Sequence, residues 1–509
     1  MVPERNAKSI MRKILMIVIS LLVILTQLGF LYLLVKARDV EWLTIIVSII
    51  GVICVIDMFN NNICSTYKIM WIILILIFPF GCSLLYLLLG NQRSFPKRRS
   101  KKVNEYIKMH NNNNGVLDEL KKVDPVAYKH ASIINNNRGL SIYNKTDVKF
   151  YNDIEEKHYA VLEDIKNAKR YIFIEMFIIS EGRMLDELYN ELKIKGEEGI
   201  EIKILYDDIG SKMIHKRKFE KRFKEIPNLK IFTYEPLGII FNPSVNLRNH
   251  RKNIIIDGEI GYTGGDNIAD EYANWKEKYG HWRDNALRIE GDAVYSMLSM
   301  FSETWYMSTK EMLNINKYKS EKVFNICNRY VMPYCDGPTG NSNTGYEVYS
   351  SIAMNATKYL YISTPYFIID NEFIDDLIMI AKSNVDVRIM VPGIPDKKIV
   401  YLLTQSHYGR LLENGIKIYE YSPGFNHAKN YICDDKYSVV GTINIDYRSL
   451  YLHFENAIII VDEENTKKIK EDYLNTLEKC TEIKYDDWKN RSLFKKIIQF
   501  ILKIFSPLL

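Results

Sequence analysis

The chain of 509 residues has only seven cysteines, at 54, 64, 82, 327, 335, 433 and 480, and no two of them form a Cys-x-x-Cys pair. That scatter argues against a zinc cage and against a disulfide framework, and it fits a reducing compartment. Charge of one sign is also scarce. A net charge of +6 is small for a chain this long, so bulk electrostatics point to no nucleic-acid partner. Nor does any stretch combine basic and aromatic residues in the manner of a single-strand groove. The length allows two or three domains. A content of 47% hydrophobic and 26% charged residues is ordinary for a globular protein, but the apolar residues are unevenly spread.

They concentrate in residues 1–90. Ile14 to Val35 is a mostly apolar run, interrupted only by Ser20, Thr26 and Gln27, and at ~1.5 Å per residue it is long enough to cross a bilayer core. Ile69 to Leu89 is a second candidate span, with Pro79 and Gly81 as an expected kink. Trp42 to Ile56 is shorter and ends at Asp57. The first run is too long for a signal peptide and lacks a small-residue cleavage site. Arg5, Lys8, Arg12 and Lys13 favour a cytoplasmic N-terminus, and the cluster from Arg93 to Lys102 favours a cytoplasmic exit. Both ends inside require an even number of crossings. Either the middle segment is re-entrant, or one basic flank is misplaced.

Residues 91–137, with "HNNNNG" and "INNNR", read as a basic and polar linker. Beyond it, apolar strands alternate with helical stretches. Tyr171 to Ile179 and Ile200 to Gly210 read as buried strands, separated by an amphipathic helix around Met184 to Lys195. Tyr359 to Ile368 and Val385 to Gly393 repeat that order of events. Strand, helix, strand with continuous apolar strands predicts an α/β architecture with parallel pairs under helices.

A spaced motif then occurs twice, as "HRKNIIID" from His250 to Asp257 and as "HAKNYICD" from His427 to Asp434. The pairs His250/His427, Lys252/Lys429, Asp257/Asp434 and Asn267/Asn444 all lie 177 positions apart. Four matched polar positions at one offset imply two homologous α/β halves. On a strand, residues i and i+2 face the same way, so each His and Lys share a side. Two such halves meeting face to face would join two imidazoles, two ammonium groups and two amides. That inventory suits a phosphodiester: Lys252, Lys429, Asn267 and Asn444 would neutralise the non-bridging oxygens. One histidine would attack phosphorus and the other protonate the departing alkoxide. Asp284 in "RDNALRI" and Glu455 in "HFENAIII" occupy similar places and are candidates to hold a ring nitrogen. Asp257 and Asp434 complete the motif beyond an apolar stretch of strand, where a supporting role is expected.

The doubled His-x-Lys-x4-Asp with its trailing Asn resembles the phospholipase D superfamily and, within it, the bacterial cardiolipin synthase family. The similar stretches include "TGGDNIADEY", "STPYFI", "GTINIDYRSLYLHFEN" and the terminal "SPLL", and they run from about residue 40 to the end. Ile14 to Val35 looks like an addition to that family's two-span pattern. The resemblance implies two phospholipase D-like halves, 138–330 and 331–488, sharing one active site after N-terminal transmembrane helices. It implies a phosphatidyltransferase in which His250 attacks the phosphate of one phosphatidylglycerol and His427 protonates the glycerol released. A second phosphatidylglycerol would then take the phosphatidyl group, giving cardiolipin. No cofactor and no metal are expected, because lysines and asparagines stand where a cation would. A hydrolytic phospholipase D, or a transferase with a different acceptor alcohol, would use the same motifs. The expected partners are phosphatidylglycerol, cardiolipin and the bilayer. The expected setting is a multi-pass protein of the cell membrane, with its catalytic halves on the cytoplasmic face. Residues 489–509, with Leu493, Ile497, Ile501 and Ile504 at helical spacing among lysines, read as an interfacial amphipathic helix.

Overall fold

The computed structural model describes residues 41–508 except 62–63, 91–96, 110–114, 212–213, 235–246 and 341, together with single positions at 25, 29 and 32. The chain divides into two units, Met1–Ser94 and Phe95–Leu509.

In the first unit, helices run over Glu41–Asn60, Ser65–Ile77 and Pro79–Leu85, followed by a π-helical turn at Tyr86–Gly90. The expected kink at Pro79 is a full break. Phe78 leaves helical geometry, and Pro79, with no N–H to donate, opens the next helix. Tyr86 donates to Asp57 Oδ2 at 2.7 Å, so the carboxylate that ends the short apolar run is paired within the unit. Cys54, Met58, Met70, Trp71 and Ile75 are buried, whereas Trp42, Ile45, Ile49, Val52, Ile56 and Phe59 are exposed. Among the described residues no helix is long and apolar enough to cross a membrane. The expected span Ile14 to Val35 lies outside the described residues apart from single positions.

Most of the expected linker is helical. Lys97–Met109, Val116–Val123 and Pro125–Arg138 are helices of the second unit. Their apolar residues Val103, Ile107, Leu120, Ala127, Ala131 and Ile134 are buried in its core. The asparagine runs hid this pattern. Asp124 caps the third helix by accepting from Val126 N and Ala127 N, and Pro125 fills its first position.

Two mixed sheets carry the rest. In the first, Tyr171–Met176, Glu201–Asp207 and Leu229–Tyr234 run parallel. Tyr171–Met176 also pairs antiparallel with Asn253–Ile256, which leads through Ile260–Gly264 and Ala286–Gly291 to Thr146–Tyr151. The second sheet repeats this order. Tyr359–Ser363, Asp386–Pro392 and Lys417–Tyr421 are parallel, and Tyr359–Ser363 pairs antiparallel with Asn430–Cys433. Tyr437–Gly441, Glu455–Val461 and Tyr330–Asp336 follow, with Cys480–Ile483 added at the far edge. The parallel expectation holds for the strand–helix–strand portions, and the motif strands are antiparallel to them. Each motif strand is central, buried on both faces and only four residues long. Its position is therefore fixed from both sides.

Candidate active site

The sheets bring both motifs to their junction. Asn249 bridges to Phe454 in parallel register, and Gly424–Asn426 pairs with His281–Arg283. The chain leading into each histidine thus lies against the other half. Backbone hydrogen bonds repeat the exchange: His250 N donates to Phe454 O at 2.9 Å and His427 N to Arg283 O at 2.7 Å.

The side chains are exchanged in the same way. His250 Nδ1 lies 2.9 and 3.0 Å from the two oxygens of Glu455. His427 Nδ1 lies 2.6 Å from Asp284 Oδ2. Each imidazole is therefore oriented by a carboxylate of the opposite half. The asparagines that follow the carboxylates extend the grip. Asn456 Nδ2 donates to Asn253 Oδ1 at 2.9 Å, and Asn285 Nδ2 to Asn430 Oδ1 at 2.6 Å. Asn253 and Asn430 are the residues directly after the motif lysines. Gly265 makes room for this arrangement, because a Cβ there would lie 2.0 Å from Asp284 Oδ1.

Lys252 Nζ donates to His250 O at 2.8 Å, and Lys429 Nζ donates to His427 O. Both lysines are buried. Burial lowers their pKa values to about 7 for Lys252 and about 8 for Lys429, while Glu455 and Asp284 act in the opposite direction. Burial, reinforced by the same two ammonium groups, holds both imidazoles well below the usual histidine range. Burial raises Asp284 and Glu455. A carboxylate at Nδ1 favours the tautomer that carries its proton there, which leaves Nε2 for chemistry. A monoanion placed at the lysines would offset their charge and let one imidazole take up a second proton.

A family profile described as "Cardiolipin synthase, PLD-like domain" matches residues 161–305 and 350–477. The chain belongs to this family. A cardiolipin synthase of Staphylococcus aureus is 32% identical over 86% of this chain and 90% of its own length. An uncharacterized protein of Streptococcus mutans is 34% identical over 89% of this chain and 99% of its own. Among solved structures, the phosphatidylserine synthase of Haemophilus influenzae superposes with a TM-score of 0.56 at 18% identity. It covers 75% of this chain and 98% of that one, and this likeness shows a shared fold.

The motif aspartates Asp257 and Asp434 face backbone groups of the neighbouring strand. Asp257 accepts from the backbone N–H groups of Lys169, Arg170 and Tyr171. Asp434 accepts from Thr357, Lys358 and Tyr359 in the same way. Both end their strands in left-handed conformation, with φ of 55° and 53°, which Asp tolerates better than most residues. They fasten the motif strand to the start of its neighbour, at the end away from the histidine.

The two trailing asparagines also hold loops. Asn267 Oδ1 accepts from Ile178 N at 2.9 Å, and its amide donates to Tyr272 at 2.6 Å. Asn444 Nδ2 donates to Asp446 Oδ2 at 3.1 Å. An amide nitrogen carries two hydrogens, and these contacts use one on each.

Several contributors lay outside the motif reading. Arg251, the variable middle residue of the first motif, is fully buried. It donates to Glu455 O, to Met300 O and, at 2.7 Å, to Glu303 Oε2, which anchors the strand that carries Glu455. Thr442 donates to the Glu455 carboxylate. Phe177 packs edge-on to His250 at 4.7 Å, and Trp282 lies 5.4 Å from His427. Among the described residues, His250, His453 and Glu455 bring donor atoms within 4.8 Å of one another. The donor types suit a transition metal, yet a cation there would compete with His250 for the Glu455 carboxylate and stand beside two buried lysines.

Proposed function

We propose that the chain is a phosphatidyltransferase that converts two molecules of phosphatidylglycerol into cardiolipin and glycerol. The observation that carries this reading is the reciprocal exchange of carboxylates, which gives two oriented histidines and two buried lysines to one site. Membership of the family supports it.

His250 Nε2 attacks phosphorus, and the P–O bond to the glycerol headgroup breaks as the N–P bond forms. His427, as imidazolium, gives its proton to the departing alkoxide. Lys252 and Lys429, with one N–H each from Asn267 and Asn444, balance the charge on the non-bridging oxygens. In the second half-reaction the now neutral His427 takes the proton from the terminal hydroxyl of another phosphatidylglycerol. That oxygen forms the new P–O bond as the N–P bond to His250 breaks. Proton and charge return to their starting places.

The substrate lies in a bilayer, and the chain has apolar surface suited to one. The helix Leu493–Ile504 exposes Leu493, Phe494, Ile497, Phe500 and Ile501. Its one buried side chain, Gln499, donates to Leu402 O at 3.1 Å. We place this helix in the membrane interface and the apolar segments of residues 1–90 in the membrane.

The deciding experiment supplies purified protein with phosphatidylglycerol alone and follows the products. Cardiolipin and glycerol in equal amounts are expected. Phosphatidic acid as the main product would show water to be the acceptor and overturn the reading.

A further inference from the structure

The two halves differ in the ring that stands beside each motif histidine. Asp284 and Glu455 lie 171 positions apart, and Trp282 and His453 lie at the same offset. Trp282 faces His427 and is packed by Tyr272 at 4.5 Å and Phe425 at 4.9 Å, an aromatic wall whose indole can donate but not accept. The matching place beside His250 holds an imidazole. The ring of His453 lies 5.9 Å from that of His250, and its side chain is only 11% exposed. Its Nδ1 is 3.9 Å from Glu455 Oε1, too far for a hydrogen bond. Both ring nitrogens are buried and, among the described residues, have no hydrogen-bond partner.

A buried polar group without a partner is costly, and such groups in a native structure point to an absent ligand or to strain. Burial first, with the charges of Arg448 and Arg248 added to it, holds His453 well below the usual histidine range. The neutral ring therefore presents one N–H donor and one acceptor lone pair. A hydroxyl group, which can both donate and accept, complements either nitrogen.

We infer that His453 is a specificity-determining residue that hydrogen-bonds the secondary hydroxyl of the glycerol headgroup, one carbon from the oxygen reacting at His250. This rests on the phosphatidyltransferase reading above. It gives the His250 side a selectivity for a vicinal diol that the aromatic wall on the His427 side does not supply. A site built to hydrogen-bond a hydroxyl rejects an analogue that lacks it, because its own polar atoms are then left unpaired.

The test uses full-length protein in detergent micelles with cardiolipin as phosphatidyl donor. Isotope-labelled glycerol and 1,3-propanediol, which lacks the secondary hydroxyl, compete as acceptors at equal concentration. Attack by either breaks one P–O bond of cardiolipin, releases phosphatidylglycerol and forms a phosphatidyl-alcohol. We expect the wild-type protein to prefer glycerol by about tenfold or more. His453→Phe should bring the ratio of products close to one, and His453→Asn, which keeps a donor and an acceptor, should restore part of the preference. His453→Leu reads the same ratio should the Phe variant fail to fold. A ratio unchanged in the apolar variants, a wild-type ratio near one, or an Asn variant no more selective than Phe would each overturn the inference. Absence of transfer to any alcohol by the wild type would instead sink the phosphatidyltransferase reading.

Discussion

Glu455, in the second half of the chain, holds Nδ1 of His250, in the first, at 2.9 Å. With Asp284 holding His427 in return, neither motif histidine takes its carboxylate from its own half. Glu455→Gln and Asp284→Asn keep the shape of each contact but remove the negative charge and allow an amide N–H to face Nδ1, so the ring tautomer is no longer fixed. Each should lower kcat by about 10²–10⁴-fold, the usual contribution of an oriented acid or base. His250→Ala and His427→Ala should abolish transfer. A covalent lipid adduct trapped during turnover should map to His250. Full activity in either alanine variant would remove the two-histidine scheme, whereas an adduct on His427 would only exchange the roles.

The buried lysines set a pH dependence. A lysine with a lowered pKa is charged below that value and neutral above it. With Lys252 at about 7 and Lys429 at about 8, affinity for the phosphodiester anion should fall as pH rises through this window, by at most about tenfold per pH unit for each lysine. Bound substrate stabilises the charged forms, so the alkaline limb of kcat should lie above that of kcat/KM. Initial rates between pH 6 and 9.5 would show it. A kcat/KM flat across that range would mean that the lysines do not hold the phosphate.

The motif aspartates should affect stability before chemistry. Asp257→Ala leaves three backbone N–H groups without their acceptor, and Asp434→Ala also strands the Thr357 hydroxyl. A loss of about 2–4 kcal/mol is expected for either, visible as a lower melting temperature of the full-length protein. An unchanged melting temperature with lost turnover would give these carboxylates a part in the chemistry instead.

How much of this was legible in the sequence depends on the period of each signal. The 177-residue offset was readable because both motif strands, and the hairpins after them, keep equal lengths in the two halves. The helices at 97–138 were missed because their buried residues are spaced among asparagines and lysines that read as linker. Asp284 and Glu455 were recognisable as ring-nitrogen partners from their shared Asn-Ala context. Their exchange between halves was not, since it is set by the junction of two sheets, and no local pattern encodes that. His453 stood inside a quoted stretch and carried no signal of its own. Its position gains meaning only beside Trp282 in the folded protein.

The C-terminal helix should enter lipid. Phe494 and Phe500 are each 73% exposed on the same helix as Lys495 and Lys496, a composition attracted to anionic headgroups. Phe500→Trp should add a fluorescence component that shallow spin-labelled lipids quench in phosphatidylglycerol vesicles, over the background of the parent protein. Failure of lipid-borne quenchers to reach that residue would place the helix against protein instead.

Excess glycerol should reverse the reaction. One phosphodiester is exchanged for another of similar energy, so the equilibrium lies near unity and concentrations set its direction. Adding glycerol to enzyme and cardiolipin should regenerate phosphatidylglycerol through the same phosphatidyl-histidine, with His427 taking the proton from glycerol as it does from the lipid acceptor. A hydrolase would instead accumulate phosphatidic acid, with little response to glycerol. Transfer is expected because a second headgroup at the lipid surface is locally concentrated and oriented, an advantage that water lacks despite its abundance. Some phosphatidic acid is compatible with this, since water still reaches the intermediate. Labelled glycerol should appear in phosphatidylglycerol at a rate that falls to zero in His250→Ala. Incorporation that survives in that variant would show that the exchange does not pass through His250.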